Sequence, residues 1–535
     1  MIGTESSEAI QNPALPGVMP ARRTRFEHRN LILAAMCLAL VMVVAGVSML
    51  ATSLPQLAGD LGASQSSQQW IVDAYALTLA ALLLPAGALG DRYGRRLTLI
   101  AGVTLFGAAS GLAAAATTPN QLIALRAVMG VGAALLMPGT LSTITSVFPE
   151  EERAKAVGIW AGFATAGGTL GILISGALLE RFYWGAIFVA TAALAGLALI
   201  AIVLVVPSTR SSERVAFDPL GSITSALGTG LLVLGIIEGP ERGWTDPITL
   251  VGLIGGVLIL VAFVLIELRA TAPLLDPRLF GHAGFATGSA SLFLQFFALF
   301  AFFFVSLQYL QLVLGYGTLV AAAALLPMAV LIMPVSAVSG TLSERYGHRL
   351  VGGAGLAVSA VGFSAFATLG SDSGVWLFIA ATLVIGAGAA LAMTPATNAI
   401  IASLPRAKQG VASAVNDTAR ELGAAFGVAV LGSAFNTGYR HRIEGHRELS
   451  AGIVEQAKEA PAIAVQLADK SPNGTALINA TRDAFTIGMR YAVIAGAAIL
   501  LVGALFVWFH GTSGVEEELE PEFVFDLDTA TETAA

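Results

Sequence analysis

The sequence predicts an all-α membrane protein made of two six-helix bundles and a two-helix linker hairpin. Three observations indicate this fold class: long apolar runs, a polar motif that occurs twice, and a scarcity of charge. The chain has 535 residues, of which 56% are hydrophobic and 12% are charged, whereas about 25% of the residues of a soluble protein are charged. A chain this apolar is expected to lie in a lipid bilayer.

Fourteen apolar runs are long enough to cross the bilayer, because about 20 helical residues span its roughly 30 Å hydrocarbon core. The predicted spans are 31–56, 69–90, 97–116, 121–146, 154–179, 185–206, 218–238, 248–267, 283–312, 317–341, 350–369, 374–402, 409–436 and 485–508. The seventh and eighth spans lie between the two halves of the chain and have no counterpart in the repeat. We therefore interpret them as an inserted hairpin.

A ten-residue motif marks the connection after the second span of each half. Gly87–Arg96 reads GALGDRYGRR and Gly340–Arg349 reads GTLSERYGHR, at an offset of 340 − 87 = 253 residues. A second pair of similar segments, 130–137 and 386–393, has an offset of 386 − 130 = 256 residues. Two similar membrane-embedded halves are typical of duplicated transporters. A generic positive-inside hairpin is the alternative interpretation of the motif.

The distribution of Lys and Arg predicts that both termini are cytoplasmic. Basic residues are concentrated on the side that holds the N-terminus, while the opposite connections before the last one hold only Arg181 and Arg242. The predicted organisation is a cytoplasmic tail (1–29), an N-terminal six-helix bundle (30–206), a linker with two extra transmembrane helices (207–278), a C-terminal six-helix bundle (279–509) with a long outer loop (438–484), and an acidic cytoplasmic tail (510–535).

The residue content argues against several other classes. The single cysteine, Cys37, lies in the first apolar run, so neither a disulfide framework nor a cysteine metal site is expected. No phosphate-binding GxxxxGK[ST] motif and no nucleophile–base set in a span is present, so we expect no ATP drive, enzyme activity, cofactor or nucleic-acid partner. His441, Glu444 and His446 lie in the outer loop, where a solvated loop is favoured over a metal site.

The motif Gly87–Arg96 resembles the signature of the major facilitator superfamily. The fourteen spans, with 70–75 (WIVDAY) and 410–423 (GVASAVNDTARELG), resemble the fourteen-helix drug:proton antiporter branch, in particular its quaternary-ammonium exporters and mycobacterial dye and fluoroquinolone exporters. This resemblance covers about 30–510. It implies the major facilitator fold and a monomeric, proton-coupled exporter of lipophilic, cationic drugs or dyes in a bacterial plasma membrane, which works by alternating access.

The sequence departs from that branch in the first and fifth spans. The branch carries an Asp nine residues before the Pro that closes its first helix, and here that Pro is Pro55 and the position is Gly46. The motif GPxxGG of the fifth helix appears as GILISG, with Ile172 and Ser175 in place of a proline and a glycine. The acid that couples proton movement is therefore expected elsewhere.

Ionisable side chains inside the spans are functional candidates, because a charge in lipid costs several kcal/mol. The candidates for proton coupling and substrate binding are Asp73, Arg126, Asn416, Asp417, Arg420 and Glu421. Asp417 and Glu421 are four residues apart and share one helical face. Two such acids would not both ionise, so one is expected to bind and release a proton unless Arg420 neutralises it. A structural ion network is the alternative, and we predict a further pair between Asp73 and Arg126.

The repeated motif is predicted to be a conformational latch. A carboxylate at Asp91 can accept hydrogen bonds from a neighbouring helix N-terminus and pair with Arg95 or Arg96, a contact that must break in the other conformation. The predicted latch residues are Gly87, Asp91, Arg92, Gly94, Arg95, Arg96, Glu344 and Arg345.

Aromatic residues near these charges suggest a surface for flat cations. The predicted wall consists of Trp70, Tyr75, Phe293, Phe296, Phe297 and Phe300. The alternative for the phenylalanines is contact with lipid or helix packing.

Two alternative functions also remain at this point: export of an endogenous metabolite, peptide or lipid, and a membrane sensor that transports nothing.

Overall fold

The computed structural model describes residues 29–63, 65–207, 217–405, 408–446, 449–458, 461–468 and 474–512. Within these ranges the chain forms helices and no strand, which confirms the predicted all-α class. The helices are α1 (Arg29–Leu61), α2 (Gln65–Tyr93), α3 (Arg95–Ala113), α4 (Pro119–Val147), α5 (Glu150–Leu179), α6 (Ala186–Val205), α7 (Pro219–Arg242), α8 (Pro247–Glu267), α9 (Ala283–Gln308), α10 (Thr318–Phe366), α11 (Val375–Ala402), α12 (Gln409–Glu444), α13 (Ala451–Ala457), α14 (Pro461–Ala468) and α15 (Gly474–His510). The two predicted tails, 1–29 and 510–535, lie almost entirely outside the described residues.

Local sequence explains where several helices begin. Thr118, Asp218 and Asp246 precede α4, α7 and α8, and each accepts a hydrogen bond from a backbone N–H of the first helical turn. A proline follows each of these capping residues, at the first position of the helix. A backbone N–H at that position would have no acceptor within the helix, so the lack of an N–H in proline costs no hydrogen bond.

Eleven helices in the described part of the chain are long and apolar enough to cross a membrane. One of them, α10, contains two predicted spans, because Gly347 has a φ of 81° and breaks the helix at the second copy of the motif. The fifth and thirteenth predicted spans correspond to α5 and α12, which have 30 and 36 residues and are not among these eleven. The total of fourteen spans stays a prediction.

The helices pack as two groups with the hairpin beside them. In the first group α1 contacts α5 and α6, while α4 contacts α2 and α3. In the second group α9 contacts α11, α12 and α15, and α10 contacts α11 and α15. The groups meet where α12 contacts α2 and α4 and where α10 contacts α5, and the hairpin helix α7 lies against both α2 and α12.

The two groups are closed against each other at one end, which we call the latch end: the end where α2 finishes at Tyr93 and α12 begins at Gln409. The buried core of α1–α6 continues there into parts of α9, α11 and α12, through Phe285, Met393 and Val411 among others. The rest of the second group forms a separate core. Access to the space between the groups from the latch end is therefore blocked by packed side chains.

The outer loop predicted at 438–484 is largely helical. Both α12 and α15 extend into it, and α13 and α14 lie between them. Asp483 accepts a hydrogen bond from Arg442 at 2.5 Å and lies 3.2 Å from His446. No group of three or more His, Cys, Asp or Glu suited to a metal occurs in the described ranges.

Close helix contact at glycine makes a first prediction about stability. A Cβ atom at Gly427 of α12 would collide with the carbonyl oxygen of Phe297 in α9, whereas one at Gly432 of the same helix would meet nothing within 4 Å. Gly427→Ala should destabilise the protein by about 1–3 kcal/mol. Gly432→Ala should be neutral or stabilising by about 0.5–1 kcal/mol, because alanine has the higher helix propensity.

Thermal unfolding of the two purified variants, followed by circular dichroism, measures both effects. Equal unfolding midpoints for the two variants would show that α9 and α12 do not approach this closely.

Candidate functional site

At the latch end, Asp91 of α2 caps the N-terminus of α12. Its Oδ1 accepts from the backbone N–H of Gly410 at 2.9 Å and its Oδ2 from that of Val411 at 3.1 Å. The N-cap residue of α12, Lys408, provides no side-chain cap of its own. A buried carboxylate facing unsatisfied N–H groups and the positive end of a helix dipole is a favourable arrangement, so this contact ties the first group of helices to the second.

Glycine allows this close approach. A Cβ atom at Gly87 would lie 2.5 Å from the carbonyl oxygen of Gly410, and one at Gly410 would collide with that of Gly87. Gly94, between α2 and α3, has a φ of 102°, which other residues rarely adopt. Arg92 is exposed, and its guanidinium lies 5.8 Å from the centroid of the Phe217 ring, just before α7.

The remaining arginines of the first motif hold other elements. Arg95 approaches Asp91 at 3.6 Å and donates to the carbonyl of Ser142 at 3.0 Å, so it links the latch to α4. Arg96 donates to the carbonyl of Val203 at 2.8 Å, at the end of α6. Of the two alternatives, Arg95 rather than Arg96 is therefore the partner of Asp91.

The second copy of the motif makes the glycine contact without the cap. A Cβ atom at Gly340 would lie 2.8 Å from the carbonyl oxygen of Ala154, so α10 approaches α5 much as α2 approaches α12. Glu344 and Arg345 are exposed, and Arg345 lies over the ring of Tyr346 at 5.4 Å. Among the hydrogen bonds and ion pairs of the described residues, none joins Glu344 to α5, so only the first copy of the motif places a carboxylate on a helix N-terminus there.

Arg126 of α4 is completely buried. Its Nε donates to the carbonyl of Ile71 at 3.0 Å, and its guanidinium lies over the Tyr75 ring at 4.4 Å. Its Nη1 and Nη2 have no hydrogen-bond partner in the described part of the chain. Asp73 is near enough for its charge to influence that of Arg126, and their direct pairing stays a prediction.

Gly46, the position of the acid that is missing from the first span, does not face the guanidinium directly. A Cβ atom there would lie 3.5 Å from Phe106 and 3.6 Å from Thr191. An acid introduced at position 46 would enter the packing of α1 with α3 and α6.

Asp417 of α12 is fully buried in a polar network. Its Oδ1 accepts from Asn416 Nδ2 at 3.2 Å and from Arg420 Nη1 at 3.4 Å, and Asn416 in turn accepts from the Thr397 hydroxyl at 2.9 Å. The other oxygen, Oδ2, has no partner within the described ranges. The network holds Asp417 in place and leaves one acceptor of its carboxylate unused.

Arg420 lies between aromatic rings of both groups of helices. Its guanidinium is 4.6 Å from the ring centroid of Phe296 in α9 and 5.5 Å from that of Trp160 in α5. Trp160 is held by a hydrogen bond from its Nε1 to the Thr140 hydroxyl at 3.1 Å. No local pattern in the sequence marks Trp160, since only the meeting of the two groups of helices brings it to the charge.

Glu421 completes the cluster. It makes no hydrogen bond or ion pair with another described residue, yet its charge interacts with Arg420, Asp417 and, across the interface, Tyr75. We call Tyr75, Arg126, Asp417, Arg420 and Glu421 the charged cluster. It joins α2 and α4 of one group to α12 of the other.

The predicted aromatic wall is not a single surface. Among the described phenylalanines of this set, only Phe296 has a ring contact with the charged cluster, while the Phe293 ring packs on Phe426 of α12 and the backbone carbonyls of Phe293 and Phe297 lie against glycines of α12. Phe300 is 39% exposed, and Trp70 is half-buried near the start of α2. Lipid contact or helix packing, the alternative interpretation, therefore accounts for most of these phenylalanines.

Two groups of helices with buried charges between them are typical of secondary transporters. The sequence profile of the Major Facilitator Superfamily matches residues 36–428, more than half of the chain. The chain therefore belongs to the Major Facilitator Superfamily, which confirms the family indicated by the motif. The solved proton:xylose symporter XylE has the same fold, with a TM-score of 0.58 and 16% identity over 91% of this chain and 96% of that chain.

Relatives by sequence match nearly the whole chain. The multidrug efflux pump LfrA of Mycolicibacterium smegmatis is 35% identical over 481 residues, which is 89% of this chain and 95% of LfrA. The methyl viologen resistance protein SmvA of Salmonella typhimurium is 32% identical over 495 residues, which is 90% of this chain and 97% of SmvA. The tetracenomycin C resistance and export protein of Streptomyces glaucescens is 29% identical over 98% of this chain and 99% of its own length.

The second prediction follows from the difference between the two copies of the motif: Asp91 caps a helix, whereas Glu344 is exposed. Asp91→Asn keeps the size of the side chain but removes its negative charge and one of its two acceptors, and charge-assisted hydrogen bonds are about twice as strong as neutral ones. We expect the turnover of transported substrate to fall several-fold while its binding affinity changes little. Glu344→Gln, the same change in the exposed second copy, should leave both near the parent values.

Initial rates and equilibrium binding, measured on the two variants side by side, test this difference. Unchanged turnover in Asp91→Asn would refute a latch at this position.

Proposed function

We propose that the protein exports lipophilic, cationic drugs or dyes by alternating access, driven by protons that move in the opposite direction. It would act as a monomer in a bacterial plasma membrane with both termini in the cytoplasm. The names of LfrA and SmvA, an efflux pump and a resistance protein against the dication methyl viologen, support this class of cargo. Transport of this kind requires no chemical reaction and no bound cofactor.

The observation that carries the proposal is the position of Glu421. It is the one acid of the charged cluster without a hydrogen bond or ion pair among the described residues, and it lies where α12 meets the other group of helices. An ionised carboxylate in such a place is costly unless a cation accompanies it. A proton and a cationic substrate can therefore neutralise Glu421 in turn, which is the basis of exchange.

The aromatic partners suit the same cargo. Phe296 and Trp160 already hold the guanidinium of Arg420 by cation–π contacts. A flat organic cation can use the same ring faces if Arg420 turns toward Asp417, whose second oxygen has no partner among the described residues. Substrate binding would then change the contacts between α5, α9 and α12.

Alternating access requires the latch end to open. The cap on α12 by Asp91 would have to break, exposing the N–H groups of Gly410 and Val411 to water. Neutralising Glu421 removes the cost of a buried charge from one conformation and so changes the equilibrium between the two. Because the cap and Glu421 lie on the same helix, α12 can transmit that change.

A second candidate is export of an acidic natural product. Arg126 is fully buried with two unpartnered nitrogens in the described part of the chain, and Gly46 provides no acid nearby. An anionic group of a substrate could bind those nitrogens. The cephamycin export protein of Amycolatopsis lactamdurans, 34% identical over 74% of this chain and 82% of its own length, is a relative named for such a product.

Proteoliposomes give the third prediction. With an imposed pH gradient, the parent should take up methyl viologen and move protons the other way. Glu421→Gln should reduce substrate-dependent proton movement on the order of tenfold or more, since the step loses its proton carrier. Asp417→Asn should weaken it less, because Asp417 is held by Asn416 and Arg420.

Glu238→Gln is the matched control, because Glu238 is a buried acid of α7 paired with Arg242 outside the cluster. Proton movement in Glu421→Gln equal to that of the control would place the coupling site elsewhere. Uptake of cephamycin-like anions but not of viologen would favour the second candidate.

A further inference from the structure

Two carboxyl groups face each other where the linker hairpin begins and ends. Asp218 caps α7, and its Oδ1 accepts from the backbone N–H of Gly221 at 2.8 Å. Glu267 ends α8 and is 2% exposed, and its Oε2 accepts from the backbone N–H of Leu275 at 3.2 Å. Each carboxyl group therefore uses one oxygen to hold a local turn.

The other two oxygens have only each other. Asp218 Oδ2 and Glu267 Oε1 are buried, and no donor reaches either of them in the described part of the chain. They converge on one point above Gly221, where a Cβ atom would lie 2.6 Å from Asp218 Oδ2 and would collide with Glu267 Oε1, and the side chains are in hydrogen-bonding contact. Two ionised carboxylates in this position would repel each other, and each would lack a donor.

We propose that Asp218 and Glu267 bind one proton between them, forming a proton site of the linker hairpin that holds the loop after α8 against the beginning of α12. A single shared proton gives both buried oxygens a partner and leaves one negative charge on the pair. It requires no other group to enter the site.

The loop after α8 connects this pair to the latch. Leu275, which donates to Glu267, is two residues from Pro273, whose carbonyl accepts from the Lys408 ammonium at 2.8 Å. Lys408 is the N-cap residue of α12, two residues before Gly410, which donates the first of the two N–H groups that Asp91 accepts. When the pair is protonated, Glu267 holds the loop in place through Leu275, and the Pro273 carbonyl of that loop stays in position to bind Lys408.

Other charged groups face the pair without neutralising it. Lys408 forms no ion pair with another described residue; burial lowers its pKa, and the nearby acids Glu267, Asp276 and Asp91 oppose that shift. Arg269 lies in the wall of the adjacent cavity, and Arg92 lies over the Phe217 ring next to Asp218. Among the described residues, Lys408 thus binds a carbonyl, Arg269 lines a cavity and Arg92 lies over a ring, and none of them hydrogen-bonds to the two unpartnered oxygens.

A cavity of about 570 Å³ at this end of the hairpin is lined by Phe217, Asp218, Leu265 and Arg269 among others. It reaches Asp218 and gives water a route to the pair. The site is separate from the charged cluster, and it stands whether or not the protein exports drugs. It does imply that part of the proton binding of the protein would persist after Glu421 and Asp417 are neutralised.

Infrared spectroscopy of the full-length protein at neutral pH is the direct test. The parent should show the carbonyl stretch of protonated carboxyl groups, and one component of this band should disappear in Glu267→Gln and in Asp218→Asn. In Glu267→Gln the amide can donate to Asp218 Oδ2 and still accept from Leu275, so folding is expected to survive. Glu238→Gln, in the same hairpin but paired with Arg242, should keep the band.

Stability against pH is the second test. Free Asp and Glu lose their protons near pH ~3.9 and ~4.3, so the unfolded chain has released the proton that the folded pair retains. A folded state that binds about one proton more loses stability as pH rises. The unfolding midpoint of the parent should fall as pH rises above about pH 5, and Glu267→Gln should flatten that fall while Glu238→Gln does not.

Several results would overturn the proposal. One is a band that is absent from the parent or unchanged in both variants of the pair, which would show that no proton is shared. Another is a midpoint that rises on addition of Mg²⁺ or Ca²⁺ in the parent and in Glu238→Gln but not in Glu267→Gln. That result would identify a metal ion as the occupant instead of a proton.

Discussion

The cap that Asp91 places on α12 is the contact on which the rest of the site depends. A helix N-terminus that lies inside a membrane protein needs acceptors for its first N–H groups, and α12 supplies none of its own. Asp91 provides them from the other group of helices, and Gly87 and Gly410 let the backbones come close enough. The cap therefore fixes the height and direction of α12, which in turn places Asp417, Arg420 and Glu421 between the two groups.

Close contact at small residues is the general basis of this packing. In a bilayer the hydrophobic effect does not drive helices together, so dispersion contacts and hydrogen bonds have to. The glycines of α12 meet the carbonyls of α9, and Gly340 and Gly158 provide the same contact between α10 and α5. Such contacts form only in one register of the two helices, but each contact is individually weak. Helices held in this way can separate and then meet again in the same register.

The helix α12 connects three features that would otherwise be unrelated. Its beginning carries the cap and, through Lys408, the loop of the linker hairpin. About 16 Å further along, eleven residues after Gly410, Glu421 lies in the charged cluster. A change of charge at either place alters the position that is favoured for one rigid element, so the inserted hairpin α7–α8 is placed to influence the same movement as the buried acids.

The sequence alone determined the helical class, the family, the polar motif and most of the ionisable residues of the site, because apolar length and buried charge are local properties that lipid strictly constrains. It could not determine which partners these residues meet. Arg126 lies over Tyr75, Trp160 joins Arg420, and in the described part of the chain only the first copy of the repeated motif caps a helix. Asp218 and Glu267, 49 residues apart in sequence, meet only because α7 and α8 fold back on each other. Tertiary packing decided these pairings, since hydrogen bonds and cation–π contacts depend on ångström-scale geometry between helices, which no local pattern records.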